Sequence, residues 1–186
     1  MGKLVVTEFI TLDGVIDDPG GSEGFDRGGW AFQFERGEEG DKFKLDELMA
    51  ADAQLLGRKT YEGFAAAWPQ REDEAGFAEK MNSMPKYVVS TTLDEASWQN
   101  TTILRDVDEV ARVKDEHDEL LVAGSATLVQ ALVDRGLVDE LRLMVFPVVL
   151  GAGKRLFADG VERQPFRIVD TKQAGETVIV TLERAD

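Results

Sequence analysis

The chain has 186 residues, 43% of them hydrophobic and 31% charged, with a formal net charge of −15 at pH 7. That length suggests one domain, and that apolar content can fill a core, so disorder is not expected. Cysteine is absent and histidine occurs once, which excludes disulfides, thiol nucleophiles and a zinc site built on those residues; the acidity argues against a nucleic-acid or anionic-membrane surface.

Two absences point to the cytoplasm. The N-terminus passes from Met1-Gly-Lys straight into Leu4-Val-Val, without the apolar stretch of a secretory signal. No apolar run reaches the roughly 18–20 residues needed to span a bilayer. The best, residues 143–150, has the length of a strand.

Residues 3–12 are rich in Val, Ile, Thr and Phe and read as the first strand, ending in the turn Thr11-Leu-Asp-Gly14. Residues 13–40 then change character, with eight glycines around Phe25, Trp30, Phe32 and Phe34. A long glycine-rich loop that carries aromatics reads as a lid folding over a pocket, with Trp30, Phe32 and Phe34 to cover a substrate. Residues 41–51 place Phe43, Leu45, Leu48 and Met49 at helical spacing. Residues 53–56 form a second strand, followed by Gly57-Arg-Lys-Thr-Tyr-Glu62, a glycine and a helix start bearing two cations. A helix is expected over 72–84, stopped by Pro85, then a third strand over 86–90 that runs into Thr91-Thr92. A short strand over 102–104 and a helix over 107–114 follow.

Residues 120–132 are the unit around which the chain is organised. Leu120 to Ala123 is a continuous apolar run, as in a parallel strand covered on both faces. Gly124 permits a sharp turn, and Leu128, Val129, Leu132 and Val133 form one helical stripe, with Gly136 to cap its end. Ser125 and Thr127 place hydroxyls beside the free N–H groups of the new helix, an arrangement suited to phosphate. Residues 138–150 read as a long apolar strand in which Pro147 marks an edge or a bulge. An apolar edge needs cover, so a homodimer is expected. Residues 166–171 and 177–183 complete an antiparallel hairpin around Gly175. The alternation of strands and helices implies an α/β fold with a mainly parallel sheet, whose ligands bind at the carboxyl ends of strands. The loops after Leu12, Leu56, Ser90 and Ala123 all lie at such ends and suggest a single site.

The chemistry narrows by elimination. His117 sits among acids and lysine at a helix end, with no nucleophile or ligand near it. The chain lacks a nucleophile elbow, a Walker lysine and an EF-hand loop, so neither a hydrolase triad nor a metal site is expected. Phosphate-friendly turns without a protein nucleophile fit chemistry carried by a bound cofactor. Arg58, Lys59 and the hydroxyls of Ser90 and Thr91 would take an extra phosphate monoester, which selects NADP over NAD.

Five motifs in order, Thr11-Leu-Asp-Gly14, Leu55-Leu-Gly-Arg-Lys-Thr-Tyr-Glu62, Ala123-Gly-Ser-Ala-Thr-Leu128, Leu137-Val-Asp-Glu-Leu141 and Pro147-Val-Val-Leu-Gly-Ala-Gly-Lys-Arg-Leu-Phe157, resemble the dihydrofolate reductase-like family. The branch most similar is the reductase domain of the bifunctional riboflavin-biosynthesis deaminase/reductase. The resemblance implies a single-domain, three-layer fold over residues 1–186 and NADPH as cofactor. By position it implies that Arg58, Lys59 and Thr60, with Ser90 and Thr91, hold the adenosine phosphate end, that Gly124, Ser125, Ala126 and Thr127 hold the pyrophosphate, and that Ile16 approaches the nicotinamide. It implies an acidic residue to handle a proton, either Asp13 in the Leu-Asp-Gly turn or Asp41 on the helix before the second strand. The expected function is hydride transfer to a C=N or C=O of a pterin-, pyrimidine- or ribosylamino-type small molecule. The alternative is a non-catalytic nucleotide- or pterin-binding module on the same fold.

Overall fold

The computed structural model describes residues 2–185. Its central strand, β1 (Lys3–Thr11), is followed by β2 (Ala53–Gly57), β3 (Lys86–Val89), β4 (Thr101–Leu104), β5 (Glu119–Ala123) and β6 (Glu140–Phe146). The chain closes with β7 (Phe166–Ala174) and β8 (Thr177–Arg184). These eight strands form one sheet in the order β4-β3-β2-β5-β1-β6-β8-β7. All pairs from β4 to β6 are parallel, and only the closing hairpin and its contact with β6 are antiparallel.

Apolar periodicity explains the layers. On one face, α4 (Val110–Asp115) and α5 (Ala126–Asp134) bring Val110, Val113, Leu128, Val129, Leu132 and Val133 against Leu4, Val6, Leu55 and Val122. On the other, α1 (Gly37–Ala50), α2 (Arg58–Ala67) and α3 (Phe77–Ser83) bring Leu48, Tyr61 and Met81 against Val5, Leu56 and Leu121. With both faces covered, the inner strands carry unbroken apolar runs rather than an alternating pattern. A third cluster, Trp30, Met144, Phe146, Ala174 and Ile179, bolts the loop after β1 to the hairpin half of the sheet.

Several boundaries differ from the sequence-based expectation, each for a local reason. The strand expected over 138–150 ends at Phe146, where Pro147 offers no N–H and Val148 N–H turns back to Phe146 O at 2.8 Å. β6 is also interior: β1 and β8 flank it, so both of its edges are paired within the chain. Helix α1 starts at Gly37, four residues before residue 41. Gly40 is buried inside it, with a Cβ at that position only 2.8 Å from Arg36 Cβ. The helix expected over 72–84 shortens to Phe77–Ser83, because the Asp73 carboxylate accepts the N–H groups of Phe77 and Ala78 at 2.9 and 2.7 Å and caps it there.

The loop over residues 13–36 is ordered and latched. Ile16 N–H donates to Lys154 O at 2.9 Å, and Leu156 N–H to Gly14 O at 3.0 Å. Within the loop, buried Asp18 accepts the N–H groups of Glu23 and Phe25 at 3.1 and 3.2 Å through its carboxylate, and that of Gly29 at 2.9 Å through its carbonyl. A short 3-10 turn, Trp30–Gln33, then carries the chain into α1.

Candidate functional site

A cavity of about 680 Å³ opens at the carboxyl ends of β1, β2 and β5, beneath this loop. Its lining falls into two wings, one on the glycine turns after β2 and β5 and one on α1, α2 and α3, with Thr7 and Glu8 of β1 also on its wall.

The first wing is made by two strand-glycine-helix junctions tied to each other. Gly57 N–H donates to Ser125 Oγ at 2.8 Å, and Ser125 N–H donates to Thr60 Oγ1 at 3.1 Å. The approach is too close for a side chain: a Cβ on Gly124 would lie 3.0 Å from Thr60 Oγ1, and one on Gly57 3.2 Å from Ser125 Cβ. Gly124 and Ser125 both adopt left-handed backbone, at φ +63° and +62°. That conformation is ordinary for glycine and uncommon for serine. No side chain caps α5, so the N–H groups of its first turn remain available beside Ala126 and Thr127, which line the cavity. Arg58, Lys59 and Lys154 line the same wing, and Arg58 Nη1 donates to Thr92 Oγ1 at 2.7 Å. Arg58 also pairs with Glu62 at 3.5 Å, and Lys59 and Lys154 stand near the acid Glu23 of the same lining.

The second wing lies against α1, α2 and α3. Its apolar wall includes Leu48, Phe64, Trp68, Phe77, Met81 and Leu121. Its polar wall is unusual in what it leaves unpaired. Glu47 is buried; its Oε1 accepts Thr7 Oγ1 at 2.9 Å and pairs with Lys44, and Arg142 Nη1 lies 3.9 Å from Oε2. Glu47 Oε2 has no hydrogen-bond partner. Gln54 spends an amide N–H on Met81 Sδ at 3.0 Å and leaves Oε1 unpaired. Glu8 points to the opposite sheet face from Thr7, and its Oε1 is buried without a hydrogen-bond partner. Burial pushes the Glu8 carboxyl well above the usual carboxylate range, against the opposing effects of Lys44 and the Gly124 N–H. Buried polar atoms are nearly always hydrogen-bonded. On the α1 side two buried acceptors, Glu47 Oε2 and Gln54 Oε1, are unpaired and suit a partner that brings N–H or O–H donors.

The structure brings together most of the residues singled out in the sequence. Ile16, Arg58, Lys59, Thr60, Gly124, Ser125, Ala126, Thr127, Phe32 and Phe34 all line this cavity. Five others stand elsewhere. Trp30 is 1% exposed, packs edge-on against Phe146 and donates its indole N–H to Asp17 O at 2.9 Å, so it anchors the loop and covers no ligand. Ser90 is buried and its Oγ accepts the N–H groups of Thr92 and Leu93 in its own turn; Thr91 is exposed, and neither lines the cavity. Three of the four expected loops thus share the site. Asp41 is exposed and paired with Arg36 at 2.6 Å. Asp13 accepts Thr11 Oγ1, Leu150 N–H and Gly151 N–H at 2.6, 3.2 and 2.7 Å, outside the cavity.

These bonds, that from Thr11 first, lower the Asp13 carboxyl to about 2. Its contribution to stability is therefore present above the unfolded value near pH 4 and is lost as pH falls towards 2. Asp13→Asn is expected to flatten the acid limb of the stability curve between pH 4 and 2, read by denaturant melts at stepped pH, with turnover at neutral pH little changed.

Thr7, Glu8, Lys44, Glu47 and Gln54 were not singled out in the sequence. Two of them carried a signal: Glu8 and Gln54 are polar residues inside apolar strand runs, positions that a core strand would fill with Val or Leu. Among the described residues no group of His, Cys, Asp and Glu could hold a metal ion, and no helix is long and apolar enough to cross a membrane.

Comparison with known proteins agrees with this architecture. Residues 2–180 match the model of the RibD C-terminal domain. Two proteins of Bacillus subtilis (strain 168) are similar along nearly their whole length. Uncharacterized protein YyaP is 30% identical over 184 residues, covering 95% of this chain and 92% of its own, and uncharacterized protein YwjB is 30% identical over 186 residues, covering 98% of each. Among solved structures, a Shewanella sp. PV-4 protein assigned by name to riboflavin biosynthesis superposes with a TM-score of 0.75 at 20% identity, covering 99% of both chains. Acinetobacter baumannii RibD gives 0.65 at 15% identity, covering all of this chain and 59% of that one. Enterococcus faecalis dihydrofolate reductase complexed with NADP(H) gives 0.57 at 15% identity, covering 100% of this chain and 98% of its own. At such identities these three structures speak for the fold.

Proposed function

The chain belongs to the RibD C-terminal domain family, with a dihydrofolate reductase-like fold, and on that premise we propose that it is an NADPH-dependent reductase of a donor-rich heterocyclic small molecule. The observation that carries the reading is that one cavity holds both sets of residues. It joins a wing suited to a dinucleotide phosphate to a wing of buried, unpaired acceptors.

The first wing fits the cofactor. Gly57 and Gly124 keep the backbone bare where a Cβ would collide, the first turn of α5 is uncapped, and Arg58, Lys59 and Lys154 supply positive charge. Gly124 to Thr127 would hold the pyrophosphate, Arg58, Lys59 and Thr60 the adenosine phosphate end, and Ile16 the nicotinamide. NADPH supplies a hydride when bound, and the E. faecalis reductase, complexed with NADP(H), supports that assignment. Glu47 and Gln54 accept N–H groups of the substrate at Oε2 and Oε1 and fix its orientation. Glu47 takes the place of Asp41 as the acid on the helix before β2, and Phe32 and Phe34 exclude water from above. The reduced bond is a C=N or C=O of a pterin-, pyrimidine- or ribosylamino-type molecule.

The test is NADPH oxidation, followed by absorbance, across a panel of such heterocycles. Turnover of at least one member is expected. Tight NADPH binding with no oxidation across the panel would overturn the reductase reading and leave a binding module. Arg58→Ala is expected to weaken NADPH about tenfold, roughly 1.4 kcal/mol for one exposed charge-assisted contact, and to leave NADH affinity unchanged. Equal NADPH affinity in both proteins would remove Arg58 from the site.

A further inference from the structure

Ser125 opens α5 and is tied twice to the start of α2. Its N–H donates to Thr60 Oγ1 at 3.1 Å, and its Oγ accepts the Gly57 N–H at 2.8 Å. Its hydroxyl also lies 3.5 Å from Ala123 O, in its own turn. The groups with which Ser125 could hold a phosphate are therefore spent inside the protein. Its backbone is left-handed, at φ +62° and ψ +51°. A side chain strains that conformation and glycine does not. Glycines stand at the two neighbouring points of close approach, 57 and 124. A serine kept in a glycine conformation needs a reason, and the bond to its hydroxyl supplies one. We propose that Ser125 is a positioning residue, which clamps the turn after β5 to the turn after β2 and so sets the spacing of the two helix starts that receive the pyrophosphate of a dinucleotide.

The proposal rests on the cofactor reading above and adds to it what keeps the cradle in shape. Strands β2 and β5 run side by side from Ala53 and Leu120 to Leu55 and Val122, where their register ends. The chain then enters α2 on one side and α5 on the other. These helices pack on opposite faces of the sheet, Tyr61 of α2 in one core cluster and Leu128 and Val129 of α5 in another. The packing of one helix therefore does not place the other, and the two Ser125 bonds bridge the gap.

The bridge uses groups that precede both helices. Gly57 is the residue before α2 and Ser125 the residue before α5, and neither helix has a side-chain cap. The N–H groups of both first turns thus stay free for an anion. An anion that meets two turns at once binds more tightly when their spacing is set before it arrives, because binding then costs less ordering.

The experiment is calorimetric titration of the full chain with NADPH and with NADH, beside thermal melts of the free proteins, for the wild type, Ser125→Gly and Ser125→Ala. Both variants lose the bond from Gly57, and only Ser125→Ala keeps a strained backbone, so Ser125→Gly is expected to melt higher than Ser125→Ala. The two nucleotides share the pyrophosphate. Each variant is therefore expected to weaken both by the same factor, about tenfold, with the preference between them as in the wild type. Ser125→Gly, the more stable variant, is expected to bind no more tightly than Ser125→Ala; a merely structural role would make affinity follow the melt. Wild-type affinity in Ser125→Gly, or a loss confined to NADPH, would overturn the clamp and leave the cofactor reading standing. Absence of binding of either nucleotide by the wild type would overturn the cofactor reading and the clamp with it. Should Ser125→Ala not fold, Thr60→Val takes its place, since it keeps the shape and removes the acceptor of the Ser125 N–H: an equal loss for both nucleotides supports the proposal, and unchanged affinities overturn it.

Discussion

Trp30→Ala is expected to cost about 3–5 kcal/mol of stability, the range for removing a large buried aromatic. Trp30 is 1% exposed and packs edge-on against Phe146 with ring centroids 5.3 Å apart. Phe9 and Phe34 meet the same Phe146 ring at 5.2 and 6.2 Å, so the truncation opens a void among aromatics that cannot collapse onto one another. It also leaves Asp17 O without the indole N–H. For a chain of this size the loss corresponds to a fall in midpoint of roughly 6–20 °C in a thermal melt. The loop depends on this anchor, so ligand affinity should fall with stability. Trp30→Phe, which retains most of the volume, is expected to recover most of both. Wild-type stability in Trp30→Ala would mean that the loop is held by its backbone latches alone, through Ile16, Lys154, Gly14 and Leu156.

Glu47→Gln is expected to reduce kcat/KM about 10²- to 10³-fold with whichever heterocycle the panel identifies, the scale seen when one preorganised polar contact to a reacting ligand is lost. The substitution keeps the shape and an acceptor oxygen for Thr7 Oγ1. It removes the charge that balances Lys44 and Arg142 and turns the unpaired Oε2 position into a possible donor, which meets the N–H groups of the ligand with the wrong polarity. Loss of turnover with little change in the thermal midpoint separates a role in binding from a role in folding. Glu47→Ala does not make that separation, because it also empties the side-chain volume and leaves Thr7 Oγ1 without its acceptor. Full activity in Glu47→Gln would place the substrate elsewhere in the cavity.

The architecture was legible because its signals are local and redundant. Leu120 to Ala123 is apolar on both faces, Gly124 breaks the run and Leu128 starts a helical stripe, so strand, turn and helix can be read within one short segment. The same pattern at Leu55, Gly57 and Thr60 marks the second strand-glycine-helix junction, which also lines the cavity. The helix starts were harder. Gly37 and Gly40 look like loop residues, and only the packing of Arg36 across Gly40 makes a glycine useful inside α1. Asp73 reads as one acid among several until its carboxylate is seen to cap α3. Pro147 suggested an edge or a bulge, but it ends β6 instead of lying within it, and β8 pairs along that strand.

The polar wall was hidden for a different reason. Helix α1 carries Glu38, Glu39, Asp41, Asp46 and Glu47, and composition does not tell which of them faces inward. The buried stripe runs through Gly40, Glu47 and Leu48, whereas Met49, expected on the apolar side, is 40% exposed. Asp41 falls on the solvent side of that stripe, which is why it pairs with Arg36 at the surface. Glu8 and Gln54 become significant only when the cavity that removes their partners is in view.

The most direct measurement of the central claim is calorimetric titration of the purified protein with NADPH and NADH side by side, near pH 7 and at low ionic strength. The cavity predicts saturable 1:1 binding of NADPH, about tenfold or more tighter than NADH, because the extra phosphate meets Arg58 and Lys59. Binding of neither nucleotide would contradict the account, and the two wings would then need a different ligand.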